Sequence, residues 1–165
     1  MLGIPLHLAF PFMMTLAAAL DLLTFTIPNR VPLLLLACFL IAASSMLSPA
    51  LLGHLGAGLI MLVVGFAMFA RGWVGGGDAK LMAAAALWLG FEHLFAFLLW
   101  TAILGGGLAL LLLAYRRMLP PPWLIRQPWA LRLHDPKEGI PYGIALSGAA
   151  LIVYPQTIWM TGIAG

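Results

Sequence analysis

Residues 50–70 read ALLGHLGAGLIMLVVGFAMFA, and no Asp, Glu, Lys or Arg interrupts them. At about 1.5 Å of rise per residue, a helix of that length spans roughly the 30 Å hydrocarbon core of a bilayer. A soluble protein would have to cover such a cylinder on every side, and this chain has little to cover it with. Of its 165 residues, 64% are hydrophobic and only 8% are charged, whereas an ordinary soluble domain carries about 25% charged residues. Lipid is therefore the solvent, and the chain is an integral membrane protein.

Working outward, further apolar runs lie at 6–25, 31–47, 79–90, 94–115 and 142–160. Pro28-Asn29, Ser48-Pro49, Gly75-Gly76-Gly77, Gly90 and Pro120-Pro121-Pro122 punctuate them, and such residues mark turns. The expectation is an all-α polytopic membrane helix bundle, a single domain over residues 1–165 with about six transmembrane helices. No Lys or Arg precedes Arg30 and no small-residue cleavage site precedes Asp21, so the first run is expected to be a retained span and not a cleaved signal peptide.

The charges give an orientation. Arg30 falls between the first two runs, Arg71 and Lys80 bracket the break before the fourth, and Arg116, Arg117, Arg126, Arg132 and Lys137 lie before the last. All 8 basic residues thus gather on one side, which the positive-inside bias makes cytoplasmic. Both termini then face the periplasm. The formal net charge of +3 reflects this topology. Nucleic acid is not expected as a partner, because the basic residues do not interleave with a polar surface. The stretch 116–139, with its prolines, Trp123 and Trp129, reads as a piece lying along the lipid headgroups.

Few side chains could do chemistry. Cys38 is the only cysteine, which excludes a disulfide framework or a cysteine-based metal site within one chain. His7, His54, His93 and His134 show no HExxH or paired spacing, and the serines have no GxSxG context. Neither a metal nor a cofactor is expected. Of the 5 acidic residues, Asp135 and Glu138 belong to the long loop and Glu92 sits beside His93 at a short break. Asp21 is different, being embedded in Leu20-Asp21-Leu22-Leu23. A carboxylate at mid-helix in a membrane costs about 2.5–3.5 kcal/mol, less near the edge, and marks function by default. Its structural alternative is a pairing with Arg30 or Lys80. Asp78 follows three glycines and opens a helical run, so it could serve as a helix N-cap, although a cap does not require Gly75-Gly76-Gly77. Those glycines leave room for another backbone to approach.

Topology puts Asp21 and Asp78 at the same membrane face. Two carboxylates in a low-dielectric site share a proton and titrate as a unit. Such a pair suits peptide hydrolysis, one member accepting a proton from water and the other polarising the scissile carbonyl. A small transporter or proton-conducting protein using the same aspartates is the alternative, but it wants polar residues along its path, and the span centres are almost purely apolar. A non-catalytic assembly partner is a third reading, against which the intact pair argues.

Asp21 with Ile27-Pro28-Asn29, then Gly75-Gly76-Gly77-Asp78 with Lys80, then Pro141-Tyr142-Gly143 with Ala145, resembles the type IV prepilin peptidase family of GxGD membrane aspartyl proteases. The resemblance covers most of the chain. It implies cleavage, after a Gly, of prepilins or pseudopilins that carry a basic leader and a hydrophobic helix, at the cytoplasmic face of the bacterial inner membrane. Asp21 and Asp78 would be the catalytic aspartates, and Gly75 and Gly77 the motif glycines. Lys80 would tune the pair or meet lipid headgroups. Ile27-Pro28-Asn29 would shape the turn after the first span, and Pro141-Tyr142-Gly143 the start of the last. Longer members carry an N-terminal region with paired Cys-x-x-Cys and also N-methylate the product. This chain looks like the short form serving Flp-type pilins of Tad secretion systems, for which no methyltransferase activity is expected.

Overall fold

The computed structural model of the chain describes residues 3–44, 50–118, 127–135 and 138–161, with side chains placed within these limits from 7 to 160. Its helices are α1 (Gly3–Thr24), α2 (Arg30–Ala43), α3 (Ala50–Ala70), α4 (Gly76–Arg117), α5 (Pro128–His134), α6 (Tyr142–Val153) and α7 (Ile158–Thr161), with a 3-10 turn at Tyr154–Gln156 before the last. No strand occurs among the described residues, in agreement with the all-helical expectation. Among the described residues three helices are long and apolar enough to cross a membrane: α1 over His7–Thr24, α3 and α4. With 14 residues, α2 is shorter; the rest of its expected run, to residue 47, lies almost wholly outside the described residues.

The runs expected at 79–90 and 94–115 are two helical arms that meet directly at Gly90, together labelled α4. α4 is 42 residues long, and its backbone leaves the helical region at Gly90 alone (φ 72°, ψ 175°). Only glycine adopts that conformation without strain, so one residue breaks the helix where a short loop over 91–93 was expected. A break leaves the last carbonyls of the preceding segment without helical partners. Side chains from elsewhere meet two of them: the His54 ring nitrogen Nδ1 bonds the Leu87 carbonyl at 2.9 Å, and Trp159 Nε1 donates to the Trp88 carbonyl at 2.6 Å.

The last run is also interrupted. α6 ends at Val153, because Pro155 lacks an N–H and its ring crowds the carbonyl one turn earlier. The 3-10 turn takes up the mismatch and returns Trp159 to the bundle.

The first arm of α4 (76–89) is the axis of the fold: Ala79 and all of 81–90 are buried. The run Ala83-Ala84-Ala85-Ala86 keeps the axis thin, and α2 and α3 pack on this arm; α6 packs on α4 with Tyr142 against Gly105 of the second arm, and α1 packs on α6 and α2. Helices in lipid associate through close backbone approach at small residues, and α3 follows this rule. A Cβ on Gly58 would come within 2.9 Å of Leu87 Cδ1, and one on Gly65 within 3.1 Å of the Ala79 carbonyl oxygen. Toward the Gly90 break, Phe10, Phe39, His54, Trp88, Tyr154 and Trp159 form a continuous aromatic cluster. Here Trp88 Nε1 donates to Leu35 O at 3.0 Å, and the Tyr154 hydroxyl to His7 O at 2.8 Å. This cluster closes the end of the bundle opposite the two aspartates.

Candidate active site

α1 carries Asp21 in its last turn and then stops abruptly. Phe25 takes a left-handed conformation (φ 55°), a position usually held by glycine. Its N–H bonds back to the Asp21 carbonyl at 2.9 Å, the single bond of an αL helix end. The reversal sends Ile27 inward, where it is buried. A Cβ on Gly77 would come within 3.0 Å of both Ile27 Cβ and Ile27 O, and one on Gly143 within 2.7 Å of Ile27 Cδ1. Ile27 is thus the spacer that holds the starts of α4 and α6 at a fixed separation beside Asp21.

The Asp21 carboxylate is 4% exposed and is satisfied by backbone. Gly143 N–H donates to its Oδ2 at 2.7 Å, while the next amide, Ile144 N–H, donates to Pro141 O at 3.3 Å. These are amides of the first turn of α6, whose free N–H groups and positive dipole end favour an anion. A charge-assisted bond such as that from Gly143 contributes about 1.5–3 kcal/mol. The pairing with Arg30 or Lys80 considered from the sequence does not form: Lys80 Nζ instead donates to Asn29 Oδ1 at 2.8 Å.

Asp78 is not the N-cap. Gly75 occupies that position (φ −68°, ψ 149°), which puts Asp78 three residues into the helix. From there its carboxylate turns back toward Gly75, the position of the acidic member of a capping box. A Cβ on Gly75 would lie 3.0 Å from Asp78 Oδ2, so the motif's first glycine makes room for the motif's own aspartate. Asp78 is half-buried and within electrostatic range of Asp21. Two helix N-termini, of α4 and of α6, therefore converge on one carboxylate pair. Lys80, two residues on, points to another face of α4, since side chains two apart in a helix do not face each other.

A profile of the type IV leader peptidase family matches residues 8–110, a region that holds both aspartates. The chain belongs to that family. Membership implies leader-peptidase chemistry for this membrane protein. No curated protein and no solved structure matches it.

In this leader peptidase family member, the matched region ends within α4, so Pro141, Tyr142 and Gly143 lie beyond it. Each nonetheless has a defined contact. Pro141 is fully buried, the Tyr142 ring lies flush on Gly105, where a Cβ would come within 2.7 Å of Cε1, and Gly143 bonds Asp21. Pro28 O accepts the Val31 N–H at 3.0 Å and so opens α2, and Asn29 precedes that helix with its side chain turned to Lys80. Sequence reasoning missed Phe25 and the supports from α5. Arg132 donates to Thr24 O, at the end of α1 (3.4 Å). Arg116, expected among the loop's surface charges, donates to the carbonyls of Leu133 (2.9 Å), Glu138 (2.9 Å) and Gly139 (3.2 Å), steadying the approach to Pro141. Pro120-Pro121-Pro122, Trp123, Arg126 and Lys137 lie outside the described residues. No cluster of His, Cys, Asp and Glu able to hold a metal ion occurs among the described residues.

Proposed function

We propose that this chain is a prepilin leader peptidase in which Asp21 and Asp78 act as the catalytic pair. The observation that carries the reading is the Asp21 carboxylate bonded to the Gly143 amide, with Ile27 packed against both Gly143 and Gly77, the residue before Asp78. The ionised member of the pair takes a proton from water as the water oxygen attacks the scissile carbonyl carbon. The protonated member hydrogen-bonds the carbonyl oxygen. Collapse of the tetrahedral intermediate breaks the C–N bond, and a carboxyl proton goes to the departing nitrogen. One water is consumed, and the pair returns to its starting protonation.

The substrate in this reading is a prepilin or pseudopilin, cut after a Gly between a basic leader and a hydrophobic helix. The Flp-type pilins of Tad systems are the favoured class, and no methylation accompanies cleavage. Counting α4 as two spans divided at Gly90, together with the shorter α2 and the last run, supports about six crossings. The basic residues then put the pair at the cytoplasmic face of a bacterial inner membrane, with both termini periplasmic.

The test is co-expression with candidate Flp-type and type IV prepilins, read by gel shift and N-terminal sequencing of the product. Processing after the leader Gly that is lost in both Asp21→Asn and Asp78→Asn supports the reading. Cleavage persisting in either variant refutes it.

A further inference from the structure

α2 and α3 both pack on the first arm of α4 but hardly on each other, and an open groove of about 470 Å³ lies between them. We propose that this groove binds one anionic phospholipid, an acyl chain lying between α2 and α3 and the phosphate held by Lys80. The proposal is independent of the peptidase reading.

The groove has an apolar body and one polar end. Ala83, Ala84 and Leu87 form its floor, and its walls include Leu33 and Leu59, which are 61% and 63% exposed and face outward. At the polar end are Asn29 and Lys80. Among the described residues Lys80 is the one charged residue in the lining, so an occupant meets a cation with no competing acid among them.

An ammonium has three N–H donors, and the bond to Asn29 Oδ1 uses one. That bond also aims the ammonium, because Asn29 lies at the start of α2. Arg30 follows it, and Arg71 closes α3, both exposed. The Arg71 guanidinium stands over the Trp73 ring at 5.4 Å. Lys80, Arg30, Arg71 and Trp73 are the side-chain types enriched at the headgroup level.

The groove runs from Lys80 to Leu87, two turns of α4 or about 10 Å, with its cation at one end. An acyl chain beneath a phosphate matches that order of apolar body and cationic end.

Native mass spectrometry of the purified full-length protein in detergent, with equal dioleoylphosphatidylglycerol and dioleoylphosphatidylcholine, tests this. One phosphatidylglycerol retained at least fivefold over phosphatidylcholine is expected. Ala83→Phe, which fills the floor, should abolish that adduct, and Lys80→Gln should remove the headgroup preference while keeping the chain. Leu62→Trp narrows the wall from an exposed position, in case the floor variant does not fold. Leu110→Phe, on the exposed surface of the second arm, is the control and should retain the lipid. Equal retention of both lipids by the wild type, or an adduct unchanged in both Ala83→Phe and Leu62→Trp, overturns the proposal. Displacement of the lipid by a synthetic apolar helical peptide, blocked by Ala83→Phe, would make the groove a peptide seat and overturn it equally.

Discussion

The backbone N–H of Gly143 donates to Asp21 Oδ2 at 2.7 Å, although the two residues are 122 positions apart. The bond joins the last turn of α1 to the first turn of α6, and no side chain fits between them. A Cβ at position 143 would lie 2.8 Å from Asp21 Oδ2 and 2.7 Å from Ile27 Cδ1. Gly143→Ala must therefore push the carboxylate or Ile27 aside. Displacing a reacting group by about 1 Å costs on the order of 100-fold in rate. A loss of that size in prepilin cleavage is expected, with the protein still present in the membrane fraction. Wild-type cleavage by Gly143→Ala would show that Asp21 does not need this contact.

The three glycines before Asp78 should not be equivalent. A Cβ on Gly77 meets Ile27 backbone and side chain at 3.0 Å, one on Gly75 meets the Asp78 carboxylate at 3.0 Å, and one on Gly76 meets only the Phe69 ring, at 3.3 Å. A ring edge can shift more readily than a backbone carbonyl. Gly77→Ala and Gly75→Ala are expected to lose cleavage by about tenfold or more, and Gly76→Ala to keep most of it. Measured rates in the reverse order would contradict the packing.

A pair in which one carboxyl must be ionised and the other protonated gives a two-limbed pH profile. Cleavage rises with pH as the pair loses its first proton and falls as it loses the second. The apparent pKa values belong to the pair and not to either residue. Single-turnover rates across pH on a detergent-solubilised prepilin should show both limbs. A rate independent of pH across the acidic and neutral range would argue against a shared proton.

The aromatic cluster at the far end should affect stability and not chemistry. Trp159→Phe removes the donor to the buried Trp88 carbonyl while keeping most of the ring packing. Leaving a buried acceptor without its partner costs about 1–3 kcal/mol. Gly90→Ala forces φ 72° on a residue with a side chain, at a cost of similar order. Both variants should melt earlier in detergent and, below their transition, cleave at close to the wild-type rate.

Much of this architecture was legible in the chain itself. A scarcity of charge and long apolar runs report the solvent, and neither depends on packing. The same holds for the breaks at Pro28-Asn29 and Gly75-Gly76-Gly77, which act through local backbone preference. Asp21 stood out for a local reason too, since a carboxylate flanked by leucines needs an explanation wherever its helix goes. Elsewhere, local reading reached its limit. Asp78 looked like a cap because composition cannot tell an N-cap from a residue three positions into the helix. The two runs expected over 79–115 are the two arms of α4, and local reading added only a loop at 91–93 where Gly90 alone makes the break.

What the sequence by itself determined is a helical membrane protein with two aspartates at helix ends, since hydropathy and turn chemistry are properties of neighbouring residues. Only the tertiary structure decided what holds those aspartates. The partner of Asp21 is the amide of Gly143, and that of Lys80 is Asn29. The spacer between Gly77 and Gly143 is Ile27. Backbone amides carry no residue signature, and close approach depends on which helices pack together. That choice is made by small residues on α3 and α4 and by the Phe25 reversal, acting across the whole bundle.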